Sequence, residues 1–398
     1  MRVGLDRLPS LPSLVRSLAQ QRVALLAHPA SVNHDLVHIH RVLLSLGVRP
    51  RTIFGPEHGY GGEAQDMIGV AHAVDPETGA PVISLYGDSF DKLSPSAESL
   101  RDHDVLLVDL ADVGSRYYTF VWTALLAVRA AVRAGMRCVV LDRPNPIGGT
   151  LALAEGRSQR PGYLSFVGLE PIPVRHGLTL GELVAEMGSR DGVRVGPGQQ
   201  LEVVAVEGWR RDQTAAHWDR PFVPPSPNMP TADTALVYPG GCLLEGTNLS
   251  EGRGTTRPFE LLGAPWLDGA AWARELGAVG LRGFVARPLT FQPMFHKHAG
   301  QICGGIQIHV TDPAAFRPFA TYLAVIALAH RQRPDQFRFR TERYEFVDDI
   351  PAIDLLVGGS EAREAMVAGA SPREIIEAVG PVEREYAEVH ERAVRRVA

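Results

Sequence analysis

The sequence predicts an α/β protein with crossover units and a mostly parallel sheet in its first half, followed by a second, smaller part. Two observations carry this. Short, continuous runs rich in Val, Ile and Leu alternate with helix-like segments, and the Pro-rich stretch Pro221 to Pro230 breaks that alternation. The runs are Arg22 to Ala27, Thr52 to Phe54, Val82 to Leu85, Val105 to Leu110 and Cys138 to Leu141, with Leu201 to Val206 as a further strand. Continuous apolar runs of this length read as strands buried on both faces, which is how parallel sheets are built. Leu36 to Leu46 and Phe120 to Ala134 read as crossover helices between them. Two more helix starts are marked by capping boxes, Thr179 with Glu182 and Ser371 with Glu374, the second reinforced by Pro372 at the first helical position. The Pro-rich stretch divides the chain into residues 1–225 and 226–398, and the segments from about Ala362 onward read as packing helices.

Length and composition narrow the function classes. A chain of 398 residues with 45% hydrophobic and 21% charged residues has the makings of two sizeable cores, and its net charge of −5 argues against nucleic-acid binding. The three cysteines, Cys138, Cys242 and Cys303, are far apart and suggest neither a disulfide framework nor a cysteine-rich zinc site. No apolar stretch is long enough to span a bilayer, and the N-terminal residues lack the apolar core of a secretion signal, so the expected location is cytoplasmic with no membrane partner.

In an open parallel sheet, ligands bind beyond the carboxyl ends of the strands. Polar residues suited to catalysis recur there: His28 after the first run, Glu57-His58 after the second, Asp88 after the third, Asp109, Asp112 and Arg116 after the fourth, Asp142-Arg143 with Asn145 after the fifth. For Asp109 and Asp142 the alternative is a helix cap or a loop-amide acceptor. Phe54 to Gln65 stands out, because it joins Glu57, His58, Glu63 and Gln65 to four glycines in one loop. Glycines allow close approach to a ligand, Glu57 can give or take a proton, and His58 can orient it. Gly246 to Glu260 is almost without apolar residues and supplies Asn248, Glu251, Arg253 and Arg257, groups that bond sugar hydroxyls or fork a carboxylate. Arg175-His176 and His296-Lys297-His298 add cationic candidates.

Other classes have weaker support. Gly59 to Ala64 formally fits a dinucleotide fingerprint, but it follows the second strand and no strong amphipathic helix opens at Gly62, so no cofactor is expected. His34, His38 and His40 raise the alternative of a metal-dependent hydrolase, yet His34 and His38 fall on a predicted helix face away from the strand ends, and no metal is expected. A third alternative is a binding protein of the same fold that turns nothing over.

Several long segments resemble one family. Phe54 to Gly59 with Ala64-Gln65, Asp112 to Thr119, Leu141 to Gly149, Ser165 to Gly168, Pro171 to Gly177, Pro224 to Thr231, Thr234 to Phe259 and Gln307 to Asp312 are similar to exo-β-N-acetylmuramidases of the NamZ type, glycoside hydrolase family 171. The resemblance implies a Rossmann-like N-terminal domain, a smaller C-terminal α/β domain, and an active site in the cleft between them. It implies release of N-acetylmuramic acid from the non-reducing end of peptidoglycan fragments such as MurNAc-β-1,4-GlcNAc, with a small sugar as the only expected partner and Glu57 as the catalytic glutamate. His28 stands where relatives usually carry Asn, Gly61 replaces a usual Arg, and Glu63 a usual Asp. Glycosidase chemistry then makes Glu57 the acid that protonates the leaving oxygen, with His58 orienting it. The second group remains open among Glu63, Asp66, Asp109, Asp112, Glu251 and the substrate's own acetamido group. Arg116, Arg143, Arg175, Arg253 and Arg257 are the candidates for the lactyl carboxylate, with Arg253 and Arg257 favoured, and Tyr117, Asn145, His176, Asn228, Asn248 and His298 are further candidates for the sugar.

Overall fold

A computed structural model describes residues 1–62 and 73–398. The first half forms a seven-stranded sheet from β1 (Val23–Ala27), β2 (Pro50–Gly55), β3 (Ala73–Val74), β4 (Pro81–Ser84), β5 (Val105–Asp109), β6 (Arg137–Leu141) and β7 (Leu201–Val204). The order is β3-β4-β2-β1-β5-β6-β7; every neighbouring pair is parallel except β3 with β4. Each run expected to be a strand is one. The chain builds outward from β1 to β2 and β4, then returns to place β5 on the other side of β1, so loops diverge above β1 and β5.

The apolar runs are continuous because the sheet is covered on both sides. In β1, Val23, Leu25 and Ala27 join one core with Leu5, Leu18, Ile39 and Leu43, while Ala24 and Leu26 face the other with Phe120, Ala124 and Val128 of the helix Phe120–Arg133. The helix expected over Leu36 to Leu46 is shorter, Ile39–Ser45, because His38 caps it. Both capping boxes are present.

The second half adds an antiparallel sheet, ordered β8-β10-β9, from β8 (Leu261–Ala264), β9 (Phe284–Phe291) and β10 (Cys303–Val310). The helix Pro318–Gln332 packs with it, and the core on that side runs without a break into the core beneath the helix Phe120–Arg133. The last helix, Tyr386–Val397, returns to the first half: Arg392 and Arg396 reach Glu186 at 3.0 and 2.8 Å, and the Tyr386 hydroxyl donates to the His176 carbonyl at 2.6 Å. Among the described residues no helix is long and apolar enough to cross a membrane.

Candidate active site

A cavity of about 530 Å³, counted together with its open mouth, lies where the loops above the parallel sheet meet the second half of the chain. Glu57, His58 and Tyr117 to Thr119 come from the sheet side; Asn228, Tyr238, Glu245, Arg253, Phe259, Tyr344 and Glu345 come from the other. Glu57 reaches this place because β2 ends at Gly55, where the chain folds back so tightly that a Cβ would sit 2.5 Å from the Tyr60 nitrogen. His58 follows with φ 70°, a conformation that is uncommon outside glycine and clusters at functional sites.

Glu57 is 6% exposed, and its Oε2 accepts a hydrogen bond from the Thr119 hydroxyl at 2.8 Å. Thr119 stands at the N-cap of the helix Phe120–Arg133 but makes no side-chain cap, because its hydroxyl turns to Glu57 instead. Burial holds the phenols of Tyr118, Tyr238 and Tyr344 well above their ordinary range, so they remain hydrogen-bond donors at the cavity wall. It likewise keeps the Cys242 thiol protonated, unsuited to act as a nucleophile.

Arg253 is the expected arginine that the structure brings to the cavity. Its guanidinium lies 5.3 Å from the centre of the Phe259 ring, donates to Glu245 at 2.6 Å and approaches Glu251 at 3.4 Å. Glu251, expected as a catalytic or sugar-binding group, is instead the buried hub behind Arg253. It also meets Lys297 and His296, each at 3.0 Å. Burial alone would raise the Glu251 carboxyl, but the Lys297 ammonium, the hydrogen bond from His296 and the Arg253 guanidinium outweigh it and hold it far below its usual range, so it carries charge and has no proton to donate.

The other expected arginines do different work. Arg116 is fully buried, and its guanidinium donates to the carbonyls of Arg157, Ile172, Leu356 and Val357, tying the loop after β5 to the helix Ala352–Val357. It is a structural clamp and does not line the cavity. Arg143 forks Asp109 at 2.5 and 2.8 Å. That pairing also removes Asp109 from the catalytic candidates. Arg175 is 1% exposed and donates to the Ile147 carbonyl. Arg257 is half-exposed beside Glu260, at 3.6 Å, outside the cavity lining.

Several polar candidates are likewise corrected. Tyr117 lines the cavity with its ring, but its hydroxyl donates to the Leu356 carbonyl at 2.8 Å. Asn145 closes its own turn onto Ile147 and bonds the Leu178 carbonyl. Asp112 accepts from the Gly114 amide at 2.7 Å and faces a neighbouring cavity with Arg143 and Arg220, on the far side of Pro225 and Ser226. His176 is buried 3.7 Å from Asp112, with its Nδ1 accepting from the Leu178 amide. Asn248 and His298 line a separate open groove, where His298 bonds the Asn248 carbonyl at 2.7 Å. Asp142 proves to be a cap: it accepts from the Thr179 hydroxyl and the Gly181 amide, and burial pushes it up to about 7. His38 and His40 bond each other, His38 also meets the His28 carbonyl and His40 meets Glu77 at 3.0 Å, while His34 lies beside Asp35, so the three do not converge as ligands. Glu63, Gln65 and Asp66 lie outside the described residues.

Sequence reasoning did not single out Thr119, Tyr118, Glu245 or Glu345 as site residues. Thr119 and Tyr118 end the Asp112 to Thr119 segment and Glu245 directly precedes the polar segment, so position offered a signal for these three. For Glu345 there was none.

Comparison with known proteins gives the family. The family model described as exo-β-N-acetylmuramidase NamZ, N-terminal, matches residues 23–233, and its C-terminal counterpart matches residues 236–394. The chain belongs to the NamZ family. It is 39% identical over 377 residues to the peptidoglycan β-N-acetylmuramidase NamZ of Bacillus subtilis strain 168, an alignment covering 94% of this chain and 86% of that one. Two DUF1343 family proteins from Bacteroides fragilis have the same fold. One superimposes with a TM-score of 0.85 at 28% identity, covering 99% of this chain and 97% of its own; the other with 0.71 at 25% identity, covering 100% and 98%. In this chain a parallel sheet is coupled to a smaller second sheet, with the cavity where they meet.

Proposed function

We propose that the chain releases N-acetylmuramic acid from the non-reducing end of peptidoglycan fragments such as MurNAc-β-1,4-GlcNAc, with Glu57 as the general acid. As a NamZ family member it is an exo-acting β-N-acetylmuramidase, a glycoside hydrolase. The observation that carries the residue assignment is the placement of Glu57, buried at a strand end in the cavity wall and steered by the Thr119 hydroxyl. In that position a protonated carboxyl can meet the glycosidic oxygen while the sugar develops positive charge at C1. Residues 1–225 would then supply the acid and residues 226–398 the grip on the sugar. Arg253 is our choice for the lactyl carboxylate, because guanidinium groups pair with carboxylates in a fork and Glu251 and Glu245 fix its position in the wall.

The test is release of free N-acetylmuramic acid from MurNAc-GlcNAc by the wild type and by Glu57→Gln, with thermal unfolding as the control for folding. We expect turnover by the wild type and a loss of about a thousandfold in the variant. Equal turnover by the two would place the acid elsewhere.

A further inference from the structure

Hydrolysis of a glycoside needs a group that handles the incoming water as well as one that protonates the leaving oxygen. The expected partners of Glu57 are engaged elsewhere among the described residues: Asp109 with Arg143, Glu251 with Lys297, His296 and Arg253, and Asp112 toward the neighbouring cavity. Of the other carboxylates in the wall, Glu245 is held by Arg253 and by the Tyr344 hydroxyl at 2.7 Å. Glu345 is 7% exposed and lines the same cavity as Glu57.

How Glu345 gets there is unusual. Tyr344 and Val347 exchange both backbone hydrogen bonds, each at 3.0 Å, closing a hairpin over two residues. Those two, Glu345 and Phe346, have φ values of 46° and 70°. Positive φ at both central positions is the type I′ pattern, which selects Asn and Gly, and neither is present. The surroundings hold the turn in place: the Phe346 ring packs against Tyr86, Phe90 and Phe166 at 6.3, 6.3 and 6.2 Å. Seven described non-glycine residues have positive φ; His58, Phe259 and Glu345 line this one cavity and Phe346 follows directly. Such strain persists where the fold over-determines it, and it collects at active sites.

We propose that Glu345 is the second catalytic carboxylate, an inference that rests on the function proposed above. The bond from C1 to the aglycone oxygen breaks with its electron pair on that oxygen, which takes the proton of Glu57. The oxygen of a water molecule bonds to C1, and Glu345 takes a proton from that water. Solvent then carries the proton from Glu345 back to Glu57.

The test compares Glu345→Gln and Glu345→Gly with the wild type and Glu57→Gln on two substrates, MurNAc-GlcNAc and the nitrophenyl β-glycoside of N-acetylmuramic acid. Glycine suits a positive φ, so Glu345→Gly should fold with a Tm at or above that of the wild type. A nitrophenol leaves without a proton, so Glu57→Gln should keep far more of the aryl rate than of the disaccharide rate. Both Glu345 variants should lose about a thousandfold on both substrates. Sodium azide should restore at least part of the aryl rate to Glu345→Gly, with the glycosyl azide as product, which a merely structural role would not give. Aryl rates within about tenfold of the wild type, or a loss that azide leaves untouched, would overturn the proposal. Failure of the wild type to act on either substrate would instead sink the muramidase reading, and this proposal with it.

Discussion

The two walls of the cavity are built on different principles. On the sheet side, Glu57 and Thr119 stand just past β2 and just before the helix that follows β5, so position along the chain nearly dictates position in space. On the opposite side, Glu245 and Arg253 lie about a hundred residues before Glu345; side-chain partners set the places of the first two, and a turn packed through Phe346 sets that of the third. The comparison teaches that the first wall is a property of the topology, while the second is a property of packing. We assign chemistry to the first and recognition chiefly to the second, with Glu345 the exception.

The strongest challenge to that division is Glu57→Gln, which should lower kcat on MurNAc-GlcNAc about a thousandfold with little change in KM. A change confined to KM would move Glu57 into recognition. Arg253→Met tests the opposite wall: KM for MurNAc-GlcNAc should rise roughly ten- to a hundredfold, the worth of a charged hydrogen bond, while a ligand without the lactyl group is much less affected. Equal effects on both ligands would deny Arg253 its role at the carboxylate. Thr119→Val removes the hydrogen bond that steers Glu57 and should cost about tenfold in kcat at unchanged KM.

Two changes behind the walls should act on stability. Arg116→Met takes the guanidinium from the carbonyls of Arg157, Ile172 and Val357 and leaves Leu356 with the Tyr117 hydroxyl alone, and we expect a loss of at least ~3 kcal/mol by denaturant titration, with kcat of the folded fraction little altered. A loss of turnover at full stability would return Arg116 to the site. The smallest expected effect is at His28. Burial, reinforced by the Arg143 guanidinium, holds its imidazole well below the ordinary range, so it is neutral in the fold. In the unfolded chain it takes up a proton below about pH 6.5. Its contribution is therefore fully present above that pH and lost as pH falls through it. His28→Gln should lose less stability than the wild type between about pH 7 and pH 5, by about 2 kcal/mol in urea titrations. Parallel curves would mean that His28 takes up its proton within the fold.

Legibility in the sequence followed the same division. Runs such as Val23–Ala27 could be read as strands because burial on both faces demands a continuous apolar run, and Glu57 could be read because a strand end in a parallel sheet has a functional edge. Arg116, Arg143 and Arg175 follow strands or Gly-rich turns just as plausibly, yet each is engaged by carbonyls or a carboxylate. Whether an arginine faces a ligand or the protein depends on which acceptors the fold places around it, and sequence spacing does not record that. The β9 to β10 hairpin was not singled out either, since β9 carries Pro288 and alternates only loosely between covered and exposed faces.

By itself, then, the sequence determined the parallel sheet, the capped helices and the place of a carboxylate, Glu57, at the end of β2, because those rest on local periodicity and turn chemistry. Only the tertiary structure decided which charges are neutralised within the protein and which are presented to the cavity. It also decided that a turn made of Glu345 and Phe346 is held against its local preference. The physical reason is that the energy of a buried charge or a strained turn depends on neighbours distant in the chain, and those become neighbours only when the two walls close on each other.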